Sequence, residues 1–178
     1  VTLGKITTLG NSTFEGCKLL KEISIPDSVT SMGESVFKSC SKLSTVTLST
    51  QLQTIPKNTF ELCTSLTSFE IKNNIKTIDD NAFTSSGLTS LTIPSTIETI
   101  NSNVFSSCTN LLELNYPTKA IIVNPNIFTG CQQLTKLTII GDENESSSVP
   151  DYEKDKQPWF AIRERISTII LNGKIETI

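Results

Sequence analysis

A right-handed solenoid of short α/β-type repeats is the fold class this sequence predicts, with a parallel β-sheet on the concave face and short helical turns on the convex side. Three observations predict it. Phe14, Phe37, Phe60, Phe83, Phe105 and Phe128 follow one another at gaps of 23, 23, 23, 22 and 23 residues. Three positions after each stands a small residue: Cys17, Cys40, Cys63, Ser86, Cys108 and Cys131. A leucine closes each group: Leu20, Leu43, Leu66, Leu88, Leu111 and Leu134. The fourth repeat lacks one residue between Phe83 and Leu88, which accounts for its gap of 22. Self-similarity at such a period is the sequence signature of stacked coils.

Each element follows from the frame in order. After the leucine, apolar residues alternate: Ile23 and Ile25, Val46 and Leu48, Phe69 and Ile71, Leu91 and Ile93, Leu114 and Tyr116, Leu137 and Ile139. A period of two means a strand with one buried face. Stacked coils place these strands about 4.8 Å apart as a parallel sheet. Pro26, Pro94 and Pro117 come after the strands, where a missing N–H ends the pairing at little cost. Spaced apolar pairs follow: Val29 and Met32, Leu52 and Ile55, Ile75 and Ile78, Ile97 and Ile100, Ala120 and Val123. An incomplete first repeat supplies Ile6 and Leu9. Gly10, Gly33, Pro56, Asp79, Asn101 and Asn124 then precede the phenylalanines, and Gly, Asp and Asn there suit the start of a short helical turn. Each apolar position stacks into a ladder that one repeat could not bury alone.

The spacing L-x-x-I-x-I-P-x-S-V-x-x-I-G-x-x-x-F-x-x-C-x-x-L resembles the BspA-like class of leucine-rich repeats. Leu20, Ile23, Ile25, Pro26, Ser28, Val29, Met32, Gly33, Phe37, Cys40 and Leu43 carry it almost letter for letter, and the likeness covers residues 1–140. The resemblance implies a leucine-rich-repeat solenoid of about six repeats. It further implies a surface antigen of the kind found on mucosal bacteria and protist parasites, acting in adhesion to host cells, extracellular-matrix proteins or other microbes.

Residues 141–158 break the pattern with an acidic, polar segment, expected to be an inserted loop. A Ca²⁺ loop would need ordered oxygen ligands around a Gly turn, which is not visible. The frame returns over 159–178 with Phe160, Ile166, Ile169, Leu171, Ile175 and Ile178, and Arg163 stands where the other repeats carry Cys. Pro158, Trp159, Phe160 and Arg163 also resemble, with one residue fewer before the Arg, the P-W-[FY]-x-x-x-R element that begins arrays in BspA-like proteins. The preserved apolar frame favours a further repeat in the same stack; the start of a second array is the alternative. Trp159 either folds over the coil edge or stands exposed as a binding residue. The chain starts and stops inside a repeat, so an excerpt of a longer protein is expected.

Composition narrows the function. The chain has 178 residues, 37% hydrophobic and only 6% aromatic, as expected when each repeat buries a few apolar side chains. A net charge of −3 without a basic cluster argues against nucleic acid. No apolar run is long enough to span a bilayer, so no membrane contact is expected within this segment. There is no histidine, which removes Ser-His-Asp catalysis and every His-containing metal site. The five cysteines lie 23 or more residues apart, unlike metal-binding pairs. An odd count leaves one unpaired in any disulfide scheme, and Ser86 on the same rung argues for small buried thiols. Disulfides between stacked neighbours remain the alternative. Asp79 and Asp80 read as turn caps rather than an acid–base pair, and no phosphate-binding glycine motif occurs. The expectation is therefore a non-enzyme without cofactor or metal. Asn11 and Asn144 head glycosylation sequons.

The positions between the buried strand residues form the candidate concave binding face: Glu22, Ser24, Thr45, Thr47, Ser68, Glu70, Ser90, Thr92, Glu113, Asn115, Lys136 and Thr138. The face is polar and lacks the Trp, Tyr and Arg anchors of tight interfaces. Weak contacts multiplied by avidity would suit an adhesin at the cell surface or outside the cell. An intracellular scaffold holding partner proteins on the same solenoid is the alternative, and ordinary solvated sheet is the bland reading of the face.

Overall fold

Each coil has three sides: two join parallel sheets and the third is a run of turns. A computed structural model of the chain describes residues 3–118, 121–122, 125–141, 147–148, 162–172 and 175–177. Ala120, Val123, Asn124, Asn144, Trp159 and Phe160 lie outside them. In chain order the strands are β1 (Thr8–Leu9), β2 (Glu22–Ser24), β3 (Ser31–Met32), β4 (Thr45–Thr47), β5 (Thr54–Ile55), β6 (Thr77–Ile78), β7 (Ser90–Thr92), β8 (Thr99–Ile100), β9 (Glu113–Pro117), β10 (Ile121–Ile122), β11 (Lys136–Ile140), β12 (Ser147–Ser148), β13 (Thr168–Asn172) and β14 (Ile175–Thr177).

The first side is the concave sheet. β2 pairs in parallel with β4, and β7, β9, β11 and β13 form a second block in that order. The registers join equivalent repeat positions: Glu22 to Thr45, Ser90 to Glu113, Glu113 to Lys136, and Lys136 to Thr168. β11 and β13 are thus neighbours across the polar stretch. The second side is another parallel sheet, made by the spaced apolar pairs. Thr8 lies beside Ser31, and Thr54 beside Thr77 and then Thr99, while Leu9, Met32, Ile55, Ile78 and Ile100 point inward.

The third, convex side corrects the expected helical turns. The 3₁₀ segment Pro125–Phe128 lies there, in the sixth repeat. In the other repeats the residues two before and two after the phenylalanine take left-handed backbone: Ser12 and Gly16, Ser35 and Ser39, Asn58 and Leu62, Asn81 and Ser85, Asn103 and Ser107. The reason lies in where the N–H groups go. An α-helix would satisfy them within one coil. Here alternate donors cross to the next coil: Ser12 to Glu34, Phe14 to Val36 and Gly16 to Lys38, each at 2.8 or 2.9 Å. The donors between them close three-residue turns, as from Glu15 to Ser12 and from Cys17 to Phe14. Alternating right- and left-handed residues let the convex side form a ladder along the solenoid.

The core is the apolar frame of the repeat. Phe37, Phe60, Phe83 and Phe105 are completely buried, and successive rings from Phe14 to Phe128 stack at 5.3–6.0 Å between centroids. The residue before each ring from Phe37 to Phe128 is also buried: Val36, Thr59, Ala82, Val104 and Ile127. That rung was not anticipated, although a small or branched residue recurs there. Phe14 is half-buried, because no described coil covers its outer face. Ile169 and Leu171 hold inward register but are 54% and 42% exposed. They sit on β13, which pairs with β11 alone among the described strands.

Candidate binding face

The two ranks of side chains on the concave sheet are set by strand alternation: as Ile23 and Leu91 turn inward, their neighbours turn to solvent. Glu22, Ser24, Thr45, Thr47, Ser68, Glu70, Ser90 and Thr92 are exposed, while Glu113, Asn115 and Lys136 are half-buried. Thr138 corrects the expectation, being 9% exposed. It stands in register between Asn115 and Ile170, and strands on both sides close over it. Contacts run along the solenoid axis: the Lys136 ammonium meets the Glu113 carboxylate at 2.7 Å, and the Asn115 amide donates to Thr92 Oγ1 at 3.0 Å. Lys72 pairs with Glu70 at 2.5 Å within one coil. The face therefore shows mostly hydroxyls and amides, with much of its charge internally matched.

The sheet is interrupted at the third repeat. Ser68, Phe69, Glu70 and Ile71 form no strand, and their main-chain groups make no backbone hydrogen bond among the described residues. Phe69 occupies the position that holds Val46 and Leu91 in the neighbouring coils. Like Val46 it is half-buried and packs on the core, with its ring tilted against Phe60 at 4.9 Å and Phe83 at 5.3 Å. A recess of about 640 Å³ opens here, lined by residues from β4, β7 and the segment between them. Sequence periodicity could not reveal it; the one signal was a phenylalanine where other repeats carry an aliphatic residue.

All five cysteines are free. Cys40, Cys63, Cys108 and Cys131 are buried, and each thiol donates to the carbonyl of the preceding coil's phenylalanine: Phe14, Phe37, Phe83 and Phe105, at 3.0–3.1 Å. Burial pushes the Cys40 thiol up to about 11 and those of Cys63 and Cys131 to about 12, and it raises Cys108 as well. These are protonated thiols, poor nucleophiles and poor metal ligands. Cys17 departs from the expected shelter: it is exposed, since the thiols point back toward the preceding coil and no described coil lies before it. Ser86 replaces a thiol without a gap, with its Oγ 3.4 Å from Cys108 Sγ. On the convex side, Asn11 is exposed and its Oδ1 accepts the Glu34 N–H at 2.9 Å. The Asp79 carboxylate accepts from the Asn101 amide and Asp80 from the Ser102 N–H, as caps between coils. No helix among the described residues is long and apolar enough to cross a membrane.

The repeat frame has relatives. The family described as BspA type leucine rich repeat region matches in six copies over residues 1–111 and 76–178. Among solved structures, a leucine rich repeat protein of T. pallidum is 24% identical with a TM-score of 0.67, covering 76% of this chain and 67% of its own. A leucine-rich repeat protein from Bacteroides ovatus is 22% identical with a TM-score of 0.57, over 97% of this chain and 54% of its own. A leucine rich cell surface protein from Faecalibacterium prausnitzii is 22% identical with a TM-score of 0.52, over 80% of this chain and 32% of its own. The chain thus spans about half and about a third of the last two. At these identities the likeness shows the fold. No curated protein sequence matches the chain.

Proposed function

The chain belongs to the BspA-type leucine-rich repeat family, and from that premise we propose that it is a non-enzymatic binding module of a cell-surface protein. Its concave face attaches the cell to host-cell proteins, extracellular-matrix proteins or other microbes. The observation that carries this reading is the double rank of polar side chains repeated at coil spacing, from Glu22 and Ser24 to Lys136. Such a face offers many equivalent weak contacts, and dense display converts weak contacts into firm attachment through effective concentration. A surface location is supported by the family and by the cell-surface protein with the same fold. The division we propose is an array over 1–140, a loop over 141–158 and a further repeat over 159–178, supported by the pairing of β11 with β13.

The test is attachment of beads densely coated with the protein to host cells and to matrix proteins. Changing the exposed Glu22 and Glu70 and the half-buried Glu113 together to Lys reverses charge on the face without touching the core. The folded variant should show altered attachment; unchanged attachment would remove the concave face from the proposal. One observation favours a second reading, the intracellular scaffold: five free cysteines are unusual in an oxidising compartment. Locating the parent protein inside the cell would decide for it.

A further inference from the structure

We propose that the recess at the third repeat is a binding site for a neutral sugar, a pyranoside unit of a glycan. The inference rests on the concave face being the binding face and names its ligand chemistry. Three features converge. First, the rim carries hydroxyls from three coils: Thr45 and Thr47, Ser68, Ser90 and Thr92. A hydroxyl both donates and accepts, so the group that matches it at every orientation is another hydroxyl. Second, the sheet break leaves the main chain of Ser68–Ile71 without backbone partners among the described residues, and it leaves the facing edges of β4 and β7 unpaired. These add fixed donors and acceptors at the recess floor. Third, half-buried Val46 and Phe69 supply an apolar patch against which the C–H face of a pyranose can lie.

Charge and shape decide between ligand classes. Glu70 is already paired with Lys72, so the recess offers no free charge for an anionic or cationic ligand. Its 640 Å³ falls within the range of small-ligand sites. Two inter-strand steps span about 10 Å, roughly the length of two linked sugar rings. A polypeptide strand would need an open edge with an empty neighbouring position. Here residues 68–71 already fill that position, because the convex ladder on both sides of the third coil is intact, as in Phe37 to Thr59 and Phe60 to Ala82. The slot is therefore shallow and polar, and no wider than a missing pairing.

The experiment is an amide-resolved NMR titration of the protein with maltose, cellobiose, lactose and N,N′-diacetylchitobiose, each up to tens of millimolar. At least one should produce saturable shifts confined to residues 44–47, 68–73 and 90–94. Thr45→Val with Ser90→Ala removes two exposed hydroxyls and should weaken that binding by about 10-fold or more, with shifts elsewhere unchanged. Phe69→Leu restores the aliphatic residue of the other coils; it should close the recess, protect the amides of 68–71 from exchange and abolish sugar binding. No saturable shift with any of the four sugars overturns the proposal, as do shifts located elsewhere. Shifts at the recess with a Ser/Thr-rich peptide but not with sugars overturn it in favour of a polypeptide. Bead attachment is read separately: attachment without sugar binding sinks this site alone, and sugar binding without attachment sinks the adhesive role alone.

Discussion

At Leu62 the backbone stands at φ 61°, where the equivalent positions carry Gly16, Ser39, Ser85, Ser107 and Gly130. Left-handed backbone crowds a branched side chain, and Leu62 gains little in return, being 42% exposed. Leu62→Gly should therefore stabilise the protein by about 1 kcal/mol in a denaturant titration. A destabilisation of the same size would mean that the convex turn does not need its left-handed residues. The thiols give a second residue-scale expectation. Cys17 is exposed, and the other four are buried, protonated and bonded to phenylalanine carbonyls. A thiol reagent should label one site quickly in the native protein, at Cys17, and all five after unfolding without reductant. Labelling of a second site at a comparable rate would show that the ladder opens readily. The small residue at this position was legible in the sequence through Ser86. The bond to the carbonyl of the preceding coil was not, since it depends on which way a side chain leans between coils.

The phenylalanine ladder holds the coil as an element. Phe60 has stacked rings on both sides, Phe37 at 5.6 Å and Phe83 at 5.3 Å, and Phe69 tilts against it. Phe60→Ala should cost roughly 3–5 kcal/mol, the usual range for a large buried aromatic. Phe14→Ala should cost clearly less, because that ring is half-buried and among the described residues stacks on Phe37 alone. Equal losses, measured by urea unfolding, would contradict the ladder. What could be read from sequence at this scale was what repeats. Strand alternation, the inward pairs and the ring positions all recur, and an error in one coil is corrected by the next. The convex backbone was not legible in the same way. Ser, Asn and Gly near a turn suit both a helix cap and a left-handed residue, and only the partner coil decides between them. The break at Ser68–Ile71 was hidden for the opposite reason: it is a departure of one coil, carried by Phe69, and periodicity averages such departures away. Of the concave face, Thr138 alone is buried, because the longer strands β9, β11 and β13 close around it.

For the whole molecule, the stack couples its coils only to their neighbours, so its stability is a sum over repeats and their interfaces. Anything repeated on every rung is therefore multiplied. The buried thiols are such a feature, and they make stability depend on pH in the alkaline range. An ordinary cysteine ionises near pH 9.0, whereas Cys63 and Cys131 hold their protons to about 12 and Cys40 to about 11. Below pH 9.0 the thiols are protonated in both states and the stack keeps its full stability. Above it the unfolded chain releases protons that the folded chain retains, so the unfolded state binds fewer protons and stability falls with rising pH. The loss is on the order of 1 kcal/mol per buried thiol per pH unit, until the folded thiols ionise in turn. Chemical unfolding at pH 8 and pH 10 should show a marked drop in stability, in addition to whatever lysine and tyrosine titration contribute. The control is built into the sequence, because Ser86 shows that a hydroxyl fits the rung. Replacing Cys63 and Cys131 by Ser removes two ionisable groups and keeps the shape. The variant should lose about 2 kcal/mol of the difference between the two pH values. An unchanged pH dependence in a folded variant would show that the thiols are not held protonated by the stack.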